Sequence, residues 1–399
     1  MVNEYFDLIN YGGTLQYYIF ELANFSVLAF FLLALYKLKV INSNSLVVWI
    51  GILFSPLLLN YFLLSPWMYG DQFIYAGEIM SLKSTGQISD LVADVSGVGM
   101  ESNAVTLSVK ILGLAPLPTW MTVTSLAFAN KFFLLLTFLW FKRFFDNENE
   151  VLLYFLIPSL ILYSSMGLRD TLIMVFSIVF IINALRGNYF IPILLLYPLF
   201  ILKLQMAAFL LLYLIGRLIF RAHRGPKLFL FFVFSITTFG VIFESQLLDV
   251  INLYRLAFIQ EDFVFAGESS YTAWNLYGGD GDAFMLSSIA EAAIIALLHI
   301  PELLLIPLPW NWSNIFYPLQ SLESCFLIYL YIKLAGTQQL YKNYEFILLT
   351  LALFVGLAIY ALIMSNEGTF VRYRFTLFYP FLLGIYYLAY RSDDSPQKS

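Results

Sequence analysis

Two short stretches put guanidinium groups where an apolar chain tolerates them least: Ser165-Met166-Gly167-Leu168-Arg169-Asp170 and Glu367-Gly368-Thr369-Phe370-Val371-Arg372-Tyr373-Arg374. The 399-residue chain is 61% hydrophobic and only 12% charged. Arginine beside a bilayer is costly and calls for an anionic partner. Its planar fork grips phosphate through two donors at once. Arginines gathered on one membrane face therefore point to the phosphate or pyrophosphate of a lipid-linked substrate. Gly368 and Thr369 favour a loop, and extended backbone would turn Arg372 and Arg374 to one side, ready for both phosphates. On a helix they would diverge by about 200°. The plainer role for all these arginines is contact with lipid headgroups.

Other residues extend the same chemistry. Lys203 stands between two apolar runs, with Gln205 beside it, and adds a cation at a predicted tight turn. Asp71 and Glu78 follow the second apolar run. Seven residues apart is about two helical turns, so a helix would set both carboxylates on one face. A carboxylate there can take the proton of an attacking sugar hydroxyl. Tyr69, Trp274, Trp310 and Trp312 lie in stretches rich in rings and amides, the composition that stacks on and hydrogen-bonds sugars. Tryptophan at a membrane interface is the competing reading. Glu21 and Lys131 fall inside predicted spans, and nothing in the sequence links them.

Repeated runs of about 20 apolar residues make this a polytopic membrane protein, all-α, a bundle of about eleven helices (ten to twelve). With a mean hydropathy of +0.81, no soluble class fits. Net charge of −5 argues against nucleic acid. One cysteine and two histidines exclude a disulfide framework and a multi-histidine metal site. No cofactor is expected. A divalent cation at the Gly278-Gly279-Asp280-Gly281-Asp282 stretch stays open.

The spans read as 15–36, 46–64, 118–141, 151–166, 171–186, 189–202, 204–220, 228–244, 317–334, 345–365 and 373–390. Those between 151 and 220 are short, which suggests broken or tilted helices. Every second connection is basic: Lys37 and Lys39, Lys142 and Arg143, Arg186, then Arg217 to Lys227. The positive-inside rule puts these in the cytoplasm and the N-terminus outside. The acidic loops 65–117 and 244–316, with short helices of their own, are then external. Within the second, 286–309 is apolar enough to cross, yet the charge pattern continues unbroken only if it re-enters or lies on the surface. Residues 1–390 form a single membrane domain, and 391–399 a disordered cytoplasmic tail. Arg169, Lys203, Arg372 and Arg374 all come to external helix ends.

At these residues the chain resembles the bacterial O-antigen and exopolysaccharide repeat-unit polymerases. The resemblance rests on Gly167-Leu168-Arg169-Asp170, Pro307-Leu308-Pro309-Trp310 and Gly368-Thr369-Phe370-Val371-Arg372-Tyr373-Arg374. It implies about a dozen spans, large periplasmic loops and periplasmic arginines important for activity. It also implies transfer of a growing glycan from undecaprenyl pyrophosphate to a lipid-linked acceptor at the inner membrane, in the service of lipopolysaccharide or exopolysaccharide. A chain-length regulator is the implied protein partner. The acidic segment from Asp71 to Glu78 departs from that pattern. It looks more like membrane glycosyltransferases that use polyprenyl-phosphate sugars. A lipid-linked glycan transporter is the reading from outside enzymology, and it requires paired broken helices in two related halves.

Overall fold

The computed structural model describes residues 15–63, 71–86, 99–220, 244–265, 285–305, 307–308, 316–363 and 367–391. Every regular element among them is helical. The α-helices run α1 (Leu15–Lys37), α2 (Ser43–Leu58), α3 (Asp71–Thr85), α4 (Gly99–Leu112), α5 (Val123–Phe141), α6 (Glu148–Phe155), α7 (Pro158–Ser164) and α8 (Asp170–Leu185). Then follow α9 (Phe190–Leu202), α10 (Leu204–Ile219), α11 (Glu244–Phe265), α12 (Ile289–Leu305), α13 (Phe316–Gly336), α14 (Tyr344–Ile363) and α15 (Glu367–Tyr390). Contacts divide the chain into two compact units, one of residues 1–204 and 390–399, the other of 205–389.

Three of the described helices are long and apolar enough to cross a membrane: Tyr18–Lys37, Val123–Phe144 and Tyr344–Leu362. Eleven such helices are not seen among the described residues. The expected span 151–166 breaks where Pro158 starts a new helix, because proline cannot donate into the preceding turn. The spans 46–64, 171–186, 189–202 and 204–220 become apolar helices of 10–17 residues. In α13, Glu323 and Lys333 dilute the apolar run, and in α15 the opening turns carry Glu367, Arg372 and Arg374. Most of the expected span 228–244 lies outside the described residues, as does the tail beyond Arg391.

The first unit is built around α5, whose Leu126 to Asn130 stretch is wholly buried. Trp49 of α2 packs on Phe138 of α5 and Phe155 of α6. Within the acidic stretch 65–117, α3 buries Phe73, Ala76 and Ile79. In the second unit α12 lies along α14, with Ala292 and Ala296 clustered with Leu362, Ala358 and Ile359 at the end of α14. The base of α10 docks on the base of α14 through a buried ion pair. Arg217 Nε donates to both Glu345 oxygens at 2.7 and 2.8 Å. The stacked rings of Phe220 and Tyr344 lie beside it.

Candidate functional site

In the first unit the stretch Ser164–Asp170 is a turn fastened by buried polar side chains. Asn130 Nδ2 donates to Met166 O at 2.7 Å and to Leu168 O at 3.0 Å. The Gly167 N–H donates to Gln72 Oε1 at 2.8 Å. Asn60 Nδ2 donates to Ser165 O, and the hydroxyls of Ser55 and Ser165 meet at 2.8 Å. Lys131 Nζ donates to Ile161 O at 2.9 Å and to Ser164 Oγ at 2.8 Å. The last carbonyls of a helix lack partners within it, and the lysine amine supplies a donor to one of them. Gly167 fits because a Cβ there would come within 3.1 Å of Leu126 Cβ. The product is a rigid turn that carries Arg169, half-buried, into the N-terminus of α8. The helix cap falls on Arg169, with no side-chain capping bond, and buried Asp170 opens the helix. A carboxylate in the first turn suits the positive end of the dipole.

The helix expected from Asp71 to Glu78 is present as α3, so the two positions do share a face. Glu78 is fully buried, not spread on a wet interface. Asp71 opens the helix, and its side chain lies outside the described residues. Its neighbour Gln72 is buried and reaches the Arg169 turn, so α3 is fixed to that turn by a direct bond. Lys83, near the end of α3, donates to Gly113 O at 2.7 Å and lies over the Trp120 ring. Lys203 is the extended residue between α9 and α10. It is 9% exposed, so the side chain is packed within the protein.

The second unit separates the two arginines of the final motif. The stretch from Glu367 is helical, so the expected loop and shared face are not formed. Side chains two apart on a helix diverge by about 200°. Arg374 is buried, and its Nη1 reaches Leu304 O at 3.2 Å and Leu303 O at 3.4 Å. These are end carbonyls of α12, which lack partners within the helix. Arg372 is half-buried and stays beside the Tyr373 ring, at 5.8 Å. Tyr373 in turn stacks on the buried Tyr360 ring at 5.4 Å. A second arginine repeats the capping: Arg255 Nη1 donates to Leu362 O, near the end of α14, at 2.9 Å. Burial pushes Arg255 down to about 10, opposed by the charge of Glu291, and it stays cationic at neutral pH.

Arg169 and Lys203 thus belong to one unit and Arg372 and Arg374 to the other. Tyr69, Trp274, Trp310 and Trp312 lie outside the described residues. Sequence reasoning missed Asn60, Gln72, Asn130 and Arg255. The available signal was polarity inside an apolar run, which marks Asn60 and the Asn130-Lys131 pair. No protein-family model matches the chain, and no curated protein or solved structure is similar to it.

Proposed function

We propose that the chain is a membrane glycosyltransferase that polymerises lipid-linked glycan repeat units, transferring the chain from undecaprenyl pyrophosphate to a lipid-linked acceptor outside the bacterial inner membrane. The observation that carries this reading is the fastened turn at Arg169. An arginine that only snorkels to headgroups needs no fixed backbone. Here four side chains on three helices and the turn after α2 hold Ser165, Met166, Gly167 and Leu168 in place. A preorganised guanidinium is what a departing phosphate requires, because the charge grows at one point.

In the reaction the acceptor hydroxyl attacks the anomeric carbon. Its proton passes to the Asp71 carboxylate, with Glu78 the second candidate, and the carbon–oxygen bond to pyrophosphate breaks with its electrons. Arg169, on its fastened turn, is the candidate to meet that charge, with Arg372 as its alternative. Arg374, held on α12, serves the architecture. That contact also supports a re-entrant α12 within the eleven-span reading. Its start packs at the end of α14. Its last carbonyls stop beside Arg374, seven residues into α15, or about 10 Å from the start of that helix at 1.5 Å per residue.

A second reading is favoured by α3. An ordered acidic helix in the first external loop suits an enzyme with a polyprenyl-phosphate sugar donor. Complementation separates the two. In a strain lacking the gene, loss of polymerase leaves single repeat units on the final acceptor, whereas loss of a sugar transferase removes that unit too.

A further inference from the structure

We infer that the cleft where α1 turns into α2 is a binding site for the phosphate of an anionic phospholipid, held by Lys37 and Lys39. The cleft has a volume of ≈ 480 Å³ and is lined by Tyr36, Lys37, Lys39, Ile41, Asn42 and Glu148.

The first ground is backbone geometry. The end of α1 is a reversed turn in which Val40 N–H donates to Leu35 O and Lys39 N–H to Tyr36 O. This pattern puts Lys39 at the position just past the helix that takes left-handed backbone, normally glycine. Its φ is 58°, and it is the one non-glycine residue with positive φ among the described residues. Elsewhere the chain obeys the rule. At the end of α8 the same two bonds form around Gly187, at φ 79°. Lysine in that place costs stability that glycine would not, so its ammonium has a use the turn itself does not explain.

The second ground is charge. Glu148, the acid on the cleft wall, is occupied by Lys142 at 2.7 Å and by the Asn42 N–H at 3.2 Å. Lys37 and Lys39 are exposed, and among the described residues neither ammonium group makes a hydrogen bond or ion pair. The cleft therefore presents two unneutralised cations. A cation near a helix C-terminus also complements the dipole. That accounts for Lys37 in the last turn but not for Lys39 in its strained place.

The third ground identifies the anion as a lipid. The cleft ends one of the three helices long enough to cross a membrane. Val27, Phe30, Ala34 and Lys37 recur at helical spacing and are all exposed, Phe30 by 70%. They make an apolar track for an acyl chain that leads to the ammonium. Leu38, between the lysines, is 73% exposed. A soluble anion would have no use for that track. The site stands independently of the proposed glycan chemistry.

The test is native mass spectrometry of the purified full-length protein in detergent, titrated with phosphatidylglycerol or phosphatidylcholine, beside thermal unfolding without lipid. Wild type should retain phosphatidylglycerol preferentially. Lys39→Gly should bind it about fivefold more weakly, the loss expected for one surface lysine, and should unfold at the same or a higher temperature. Lys37→Gln should weaken binding similarly. Undiminished phosphatidylglycerol binding in both variants would overturn the site. So would saturation by inorganic phosphate with no preference for the lipid, which would make the ligand a free anion. A lower unfolding temperature for Lys39→Gly would show that the turn itself needs lysine, removing the first ground and overturning the inference.

Discussion

Arg372 and Arg374 are two residues apart and do different things. Arg374 spends Nη1 on the carbonyls that end α12. Arg372 keeps its guanidinium by Tyr373, half-buried. Replacing each therefore separates chemistry from architecture. Arg372→Lys should leave thermal stability within about 0.5 kcal/mol, as for a change away from core features, and lower glycan transfer, because lysine lacks the planar two-donor fork. Arg374→Met should destabilise the protein, leaving carbonyls unpaired at roughly 1–3 kcal/mol, visible as a lower unfolding temperature. Equal stability losses in both variants would remove the distinction. At Gly167 a methyl group would meet Leu126 Cβ and Cδ1 at 3.1 Å. Leu126 is fully buried on α5, so Gly167→Ala should shift the Arg169 turn and cut activity even where the protein still folds. The arginines themselves were legible in the sequence as charges in an otherwise apolar chain. Their division of labour was not, because it depends on whether residues 367–374 coil or extend, and Gly368-Thr369 pointed to the wrong choice.

Helix ends carry most of the polar interactions seen in the second unit. Arg255 meets Leu362 O at the end of α14, Arg374 meets the end of α12, and Arg217 with Glu345 joins α10 to α14. Removing one partner of a buried pair strands the other charge. Glu345→Gln should thus cost about 3–5 kcal/mol, read by denaturant titration in mixed micelles. Converting both residues to apolar ones of similar size should recover much of it. An undiminished midpoint in the single variant would show the pair to be solvated. Close packing sets a second expectation. A Cβ on Gly356 would lie 2.8 and 2.9 Å from the Leu377 methyls and 3.2 Å from Phe209. Gly356→Ala should therefore cost about 1–3 kcal/mol through overpacking. Apolar runs gave most of the described helices, while α4 and α11 fell in stretches read as loops and α3 was expected only on the condition that its segment coils. They gave neither the break at Pro158 nor the anchored turn from Ser164 to Asp170. That turn is specified by Asn60, Gln72 and Asn130, which are distant in sequence from the residues they hold.

Among the described residues the molecule combines three membrane-length helices with five shorter apolar ones. Single-residue hydropathy cannot tell a short helix that crosses only part of the bilayer from one that only packs inside, which is why the expected count of spans exceeded the described helices that qualify by length. The topology can be read directly. After replacement of Cys325, a single cysteine at position 280 should react from outside and one at position 338 only after permeabilisation; reaction of both from one side would end the eleven-span reading. The central claim is that the ordered Arg169 turn and the acidic α3 serve transfer of a lipid-linked glycan. Its most direct measurement is glycan chain length in a strain lacking the gene and complemented with Arg169→Lys or Asp71→Asn. The account predicts single repeat units on the final acceptor in place of long chains, with variant protein present in the membrane at wild-type level. Wild-type chain length in both variants would contradict it and return these residues to headgroup contact.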